Sequence, residues 1–190
     1  MTVQPQTTDL ELVRAMAQGD MHGLDQLYAL HGPSILSFLT ARLGNRELAE
    51  EVLQDVMLAA WKNAATFRGE SSVRTWLLVI ARNRAINAQR RYAPTMVSLA
   101  DAPDIHSTDT GPYEAVARDF ERSAVRQALE HLPDLHREIL VLFFYHQLSG
   151  NEIAEVLDIS VGTVKSRLHR AKEALKRIMM TQQEGTDAQS

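Results

Sequence analysis

The chain has 190 residues, 45% of them apolar and 23% charged, with a formal net charge of −4 and no cysteine. This composition belongs to a globular chain of one large or two small domains and excludes fibres, disulfide scaffolds and wholly disordered chains. The longest apolar runs, Trp76 to Ala81 and Ile139 to Tyr145, are far shorter than the roughly 20 residues of a membrane span. Met1 to Thr8 is polar and lacks the blocks of an export signal, so no membrane insertion and a cytoplasmic location are expected.

The first predicted helix follows Thr8-x-x-Glu11, a capping-box pattern, through Leu12, Val13 and Met16 to a stop at Gly19. A second carries Leu24, Leu27, Tyr28, Ile35, Leu36 and Leu39, with a kink or break expected at Gly32-Pro33. A third has its buried stripe at Leu48, Val52, Leu53, Val56 and Ala60. Its other face stacks Glu47, Glu51 and Asp55 at four-residue steps, widened by Glu50, Gln54 and Lys62. Like charges at that spacing cost an isolated helix a few tenths of a kcal/mol per pair. A basic partner surface would offset the cost; a plainly solvated acidic face is the alternative.

Phe67 to Trp76 then mixes aromatic, cationic and hydroxyl residues in a loop broken by Gly69. Such a loop can hold a single strand by stacking and phosphate contact, although Trp76 falls on the apolar stripe and is expected in the core. A fourth helix starts its stripe at Val73, Trp76, Leu77 and Ile80. It continues into a polar stripe of Asn83, Asn87 and Arg90, flanked by Arg82, Arg84 and Arg91. Between Ala93 and Pro112 the chain turns to Pro, Gly, Asp and Ser/Thr without helical period, and a flexible linker is expected there, with a span of about 25 Å as a coil.

Val116, Phe120, Ala124 and Ala128 mark a further helix, stopped near Pro133, and Leu135 to Tyr145 a short apolar one. Ser149-Gly150-Asn151-Glu152 again has the capping-box form and opens a helix through Ile153, Ala154 and Leu157. Asp158-Ile159-Ser160 makes a turn, and Val164, Leu168, Ala171 and Leu175 give the next helix its apolar stripe. This is helix-turn-helix spacing. Lys165, Ser166, His169 and Arg170 fall on the opposite face with Arg167 beside them, suited to the edges and phosphates of a major groove. An ordinary helical hairpin has no need of that cationic stripe. Lys165-Ser166 is no phosphate loop, because Val164 stands where the glycine is required.

Charge separates in the same way. Arg68 to Arg91 and Val161 to Arg177 each carry +5, leaving −14 on the remainder. Two basic patches in an acidic frame point to two nucleic-acid contacts. The seven histidines show no H-x-x-x-H pair, and with no cysteine neither a metal nor another cofactor is expected. No nucleophile, carboxylate cluster or Gly-rich phosphate loop marks an enzyme.

The expected architecture is all-α: a domain over 1–92, a linker over 93–112, a helix-turn-helix domain over 113–180 and a disordered polar tail over 181–190. Three blocks, AEEVLQDVMLAAWKNAATFRG, WLLVIARNRAINAQRR and LPDLHREILVLFFYHQLSGNEIAEVLDISVGTVKSRLHRAKEAL, resemble the bacterial extracytoplasmic-function (ECF) sigma factors over about residues 9 to 178. The resemblance implies a non-enzymatic initiation factor that binds core RNA polymerase and directs it to promoters.

It implies that the acidic helix docks on the beta-prime coiled coil through Glu51, Gln54 and Asp55. The loop and basic helix would melt and read the downstream promoter element through Phe67, Arg68, Arg74, Arg82, Asn83, Arg84, Asn87, Arg90 and Arg91. The last helix would read the upstream element through Lys165, Ser166, Arg167, His169 and Arg170. The partners implied are polymerase, promoter DNA as duplex and as melted single strand, and an anti-sigma factor. With no cysteine and no extension after about residue 180, signal sensing is expected to lie in that last partner. Met57, Asn87 and Gly23 depart from the family pattern, which usually has an aromatic, an acid and an alanine there. A free-standing helix-turn-helix regulator and a nucleic-acid enzyme are the rival readings.

Overall fold

The structure is a computed structural model that describes residues 8–92, 128, 129 and 131–187. The described residues are mainly helical and contain no strand. The chain divides into two compact units, one holding the N-terminal helices and the other most of the C-terminal ones.

In the N-terminal unit, α1 (Asp9–Ala17) begins with a complete capping box. The Thr8 N–H donates to Glu11 Oε2 over 2.7 Å, and the Glu11 N–H donates to Thr8 Oγ1 over 3.4 Å. The helix is closed by Gly19 at φ +85, where the N–H groups of Gly19 and Asp20 return to the carbonyls of Met16 and Ala15. That is the left-handed cap that glycine adopts without steric cost. Leu12, Val13 and Met16 are buried, and α1 packs on α2 (Met21–Leu43).

Of the kink or break expected at Gly32-Pro33, the break does not occur: α2 runs through it with Pro33 inside the helix. Pro33 is exposed, as is Ala29 four residues earlier, so the carbonyl that proline leaves without a helical donor has access to water. Buried Leu27 on one side and Ile35, Phe38 and Leu39 on the other hold both halves to the same core. α3 (Arg46–Asn63) is capped by Asn45, whose side chain accepts from the Leu48 N–H at 2.9 Å. It buries Ala49, Val52, Leu53, Val56, Met57 and Ala60, while Leu48 is only half-buried.

A short 3-10 turn, Ala64–Thr66, follows and packs against α1. Then α4 (Val73–Tyr92) packs on α2 and α3. Its buried stripe is Val73, Leu77, Leu78, Ala81, Ala85 and Ala88. Trp76 and Ile80, both expected in that stripe, are half-buried, lying at its edge beside the fully buried Leu77 and Ala81.

The linker expected over 93–112 and the helix expected from Val116 to Ala124 lie outside the described residues. In the C-terminal unit Ala128 is buried. α5 (Asp134–Leu140) passes into a wider π-helical turn, Val141–Tyr145, so the apolar run is not one regular helix. Arg137 secures the entry: its Nε donates to the Leu129 carbonyl at 3.0 Å and its Nη2 to that of Leu132 at 3.1 Å.

α6 (Gly150–Leu157) is opened by Ser149 and Glu152 in the expected reciprocal pair. α7 (Val161–Asp187) packs on α5. It runs into the stretch from Thr181 expected to be a tail, where Thr181 Oγ1 donates to the Arg177 carbonyl and no proline intervenes. Among the described residues no helix is long and apolar enough to cross a membrane.

Candidate nucleic-acid interface

The turn between α6 and α7 is built by three residues. Asp158 takes φ +54, a left-handed conformation that costs most L residues about 1–2 kcal/mol but suits Asp better than branched side chains. The N–H groups of Asp158 and Ile159 return to the carbonyls of Glu155 and Ala154, closing α6. Ser160 starts α7 by accepting from the Thr163 N–H at 3.2 Å while its hydroxyl meets Thr163 Oγ1 at 2.9 Å. Val164 and Ala171 are buried, with Leu168 and Leu175 half-buried beside them.

The opposite face is open. Lys165, Ser166, His169 and Arg170 are all exposed, and Arg167 is half-buried at the edge. Ser166 Oγ donates to the Thr163 carbonyl at 3.1 Å, which satisfies its proton and leaves its lone pairs available. Thr163 itself is exposed in the first turn and was not singled out from sequence; its position one turn before Ser166 and Arg167 was the available signal. Lys172, counted with the same basic stretch, is used differently: its Nζ lies 4.4 Å above the Phe143 ring and 5.3 Å from that of Phe144.

In the N-terminal unit, α4 presents Trp76, Ile80, Asn83, Asn87 and Arg90 along one face at three- and four-residue steps. Asn83, Asn87 and Arg90 are exposed, with Arg84 and Arg91 exposed alongside. Arg74 and Arg82 fall away from that face, half-buried and already engaged within the structure. Phe67 stands at the head of the stripe, its ring centroid 4.7 Å from that of Trp76 with the planes 32° apart. Arg68 projects from the loop, 3.9 Å from Glu70, with both side chains about four-fifths exposed. The loop and stripe thus offer cations, amides and a stacked aromatic pair on one run of chain.

On α3, Glu51 and Gln54 are exposed and Asp55 half-buried. The next residue in their register is Leu58, an apolar side chain left 53% exposed. It too was missed from sequence, although 51, 54, 55 and 58 are the i, i+3, i+4, i+7 positions of one helix face. Met57, by contrast, is turned into the core. Arg46 pairs with Glu50 at 2.9 Å on the side of this face.

Comparison with known proteins fits these surfaces. Residues 27–95 match the family of sigma-70 region 2, and residues 122–175 match that of sigma-70 region 4. The chain is 35% identical over 164 residues to the RNA polymerase sigma factor YlaC of Bacillus subtilis, covering 85% of this chain and 94% of the relative. It is 32% identical over 181 residues to the ECF RNA polymerase sigma-E factor of Haemophilus influenzae, covering 90% and 95%.

Among solved structures, it resembles CnrH in complex with the cytosolic domain of CnrY (TM-score 0.67, 25% identity, covering 91% of this chain and 97% of that one). It shares its fold with the sigma factor RpoE of Bartonella quintana, solved with the anti-sigma factor NepR (TM-score 0.64, 23% identity, 82% and 96%). Two helical units with cationic outer faces, two matched sigma-70 regions in the same order and near full-length similarity to curated relatives place this chain in the ECF family of RNA polymerase sigma factors.

Proposed function

We propose that this sigma factor works as a non-catalytic adaptor in the cytoplasm, docking on core RNA polymerase through α3 and presenting two DNA-reading surfaces to one promoter. Glu51, Gln54 and Asp55 supply the polar part of the docking face toward the beta-prime coiled coil, with Leu58 at its apolar end. Phe67, Arg68, Asn83, Arg84, Asn87, Arg90 and Arg91 take the downstream element as it opens. Arg74 and Arg82 support that surface from its core side. Lys165, Ser166, Arg167, His169 and Arg170, joined by Thr163, read the upstream element as duplex.

The observation that carries this reading is the pairing of two chemically different faces with one cationic helix each. Amides and stacked aromatics beside arginines suit unpaired bases, whereas a cationic helix following a tight turn suits a major groove. The factor contributes binding energy that offsets unstacking, a few kcal/mol per extruded base, and polymerase supplies the bond chemistry. The two units act together only when one scaffold holds both, since linked sites gain from a raised effective concentration. The chain's overall acidity disfavours tight binding to DNA on its own.

Regulation by an anti-sigma partner is part of the proposal, supported by the likeness to CnrH, which was solved with the cytosolic domain of CnrY. Run-off transcription with purified core polymerase tests the whole: defined starts that require this chain are expected. A free-standing regulator would instead bind duplex tightly without polymerase and confer no initiation.

A further inference from the structure

Phe67 leaves the 3-10 turn in extended conformation, φ −70 and ψ 117, with its N–H returned to the Ala64 carbonyl at 3.2 Å. A phenylalanine on a short exposed loop would ordinarily sample several rotamers, and ordering it on binding would cost free energy. Here a neighbouring ring limits that freedom for Phe67. The indole of Trp76 lies against it with centroids 4.7 Å apart and the planes tilted by 32°, within the range of favourable offset packing. Both rings are half-buried, so part of the Phe67 surface stays open.

Trp76 is itself fixed by the start of α4. Its N–H donates to the Ser72 carbonyl at 3.0 Å. The neighbouring Thr75, fully buried, donates its N–H to Ser72 Oγ at 3.1 Å and meets that oxygen with its own hydroxyl at 2.8 Å. Gly69 at φ +72 turns the intervening loop, and among the described residues the group near its absent β-carbon is Leu10 Cδ1 at 3.9 Å. The loop is therefore held at both ends by one aromatic stack.

From this geometry we infer that Trp76 is a positioning residue that sets Phe67 in advance as a platform for an unstacked base of the downstream strand. The inference rests on the proposed promoter-opening role. The indole acts through Phe67: it restricts that ring before DNA arrives, so the arriving base meets a formed stacking surface rather than one it must order.

The test uses holoenzyme reconstituted from core polymerase and the full chain, on a promoter fragment located by its own run-off transcription. 2-Aminopurine placed at successive downstream-element positions reports opening, and a low-temperature mobility shift reports closed binding. Trp76→Leu is expected to slow opening roughly tenfold, the scale of losing one base–aromatic stack, with closed binding and core affinity unchanged. Trp76→Phe should restore most of the rate. Phe67→Ala combined with Trp76→Leu should be no slower than either alone, because both remove the same platform.

Opening at the wild-type rate in Trp76→Leu, equal loss in closed binding, or full additivity with Phe67→Ala would overturn the inference. Should Trp76→Leu not fold, the free factor carrying Trp61→Phe leaves Trp76 as the sole indole. Phe67→Ala must then shift its emission, and an unchanged spectrum is equally fatal. If the wild-type holoenzyme starts transcription nowhere, it is the function proposed above that fails.

Discussion

Lys172 points its ammonium at the face of Phe143, 4.4 Å from the ring centroid, and so ties α7 to the π-helical turn within the C-terminal unit. A cation over an aromatic face contributes about 0.5–1 kcal/mol at an exposed site. Lys172→Ala should therefore destabilise the C-terminal unit by an amount of that order and lower its denaturation midpoint. The slope of log affinity against log salt for upstream DNA should stay unchanged. Lys165→Ala, on the open face, should do the opposite, flattening that slope by about one phosphate contact with the midpoint unmoved. Salt titrations of the two variants separate the roles.

A β-carbon on Gly23 would stand 2.8 Å from the Leu12 carbonyl oxygen and 3.2 Å from Ala15 Cβ. The closeness of α1 to α2 leaves no room for a side chain at this position. Gly23→Ala should destabilise the protein by about 1–3 kcal/mol through overpacking, despite alanine's better helix propensity. Gly162, with nothing among the described residues nearer than Ser160 Oγ at 3.8 Å, should accept alanine with a gain of up to about 1 kcal/mol. Urea denaturation of both variants gives the comparison.

Glu11 is held below the ordinary carboxylate value of 4.5, first by the backbone N–H of Thr8 and then by its hydroxyl. The unfolded chain takes up this proton at higher pH than the folded one. The contribution of Glu11 is thus complete above its unfolded value and is lost as pH falls through the folded one. Carboxyl NMR should place its midpoint under 4.5, and amide protection factors in α1, taken relative to the unfolded chain at the same pH, should fall as pH drops through that midpoint. Glu11→Gln, which can still accept from the Thr8 N–H, should remove the pH dependence specific to this end of the helix.

Asp158 at φ +54 makes the helix-turn-helix corner. Asp158→Gly should be tolerated or mildly stabilising, whereas Asp158→Val should cost roughly 1–2 kcal/mol. Because the corner aims α7, the valine variant should also weaken duplex binding in the holoenzyme. Thermal denaturation together with a mobility shift checks both arms.

Much of this was legible from spacing because local chemistry and tertiary packing agree. Thr8-x-x-Glu11 and Ser149-x-x-Glu152 cap their helices as read, and Val164 and Ala171 are buried while Lys165, Ser166, His169 and Arg170 stay exposed. Where the two disagree, spacing misleads. Gly32-Pro33 has the local signature of a helix end, yet burial of Leu27 and Ile35 on either side carries α2 through.

Trp76 has the hydropathy of a core residue but keeps an open edge against Phe67, a partner nine residues away across a loop. Charge counting included Lys172 in the basic stretch Val161 to Arg177 without separating it from the open face, and the aromatic ring beneath it gives it a packing role instead. Leu58 escaped notice because a leucine in a helical stripe is read as core by default; its register with Glu51 and Asp55 is what turns it outward.

That leucine gives the acidic face an apolar spot, and under the docking proposed above the two adhesive chemistries of this molecule divide by their response to electrolyte. Contacts made by lysine and arginine on phosphates weaken steeply as ions compete, while burying a leucine is indifferent to screening. Raising ionic strength should strip the template from the holoenzyme well before it strips the factor from polymerase.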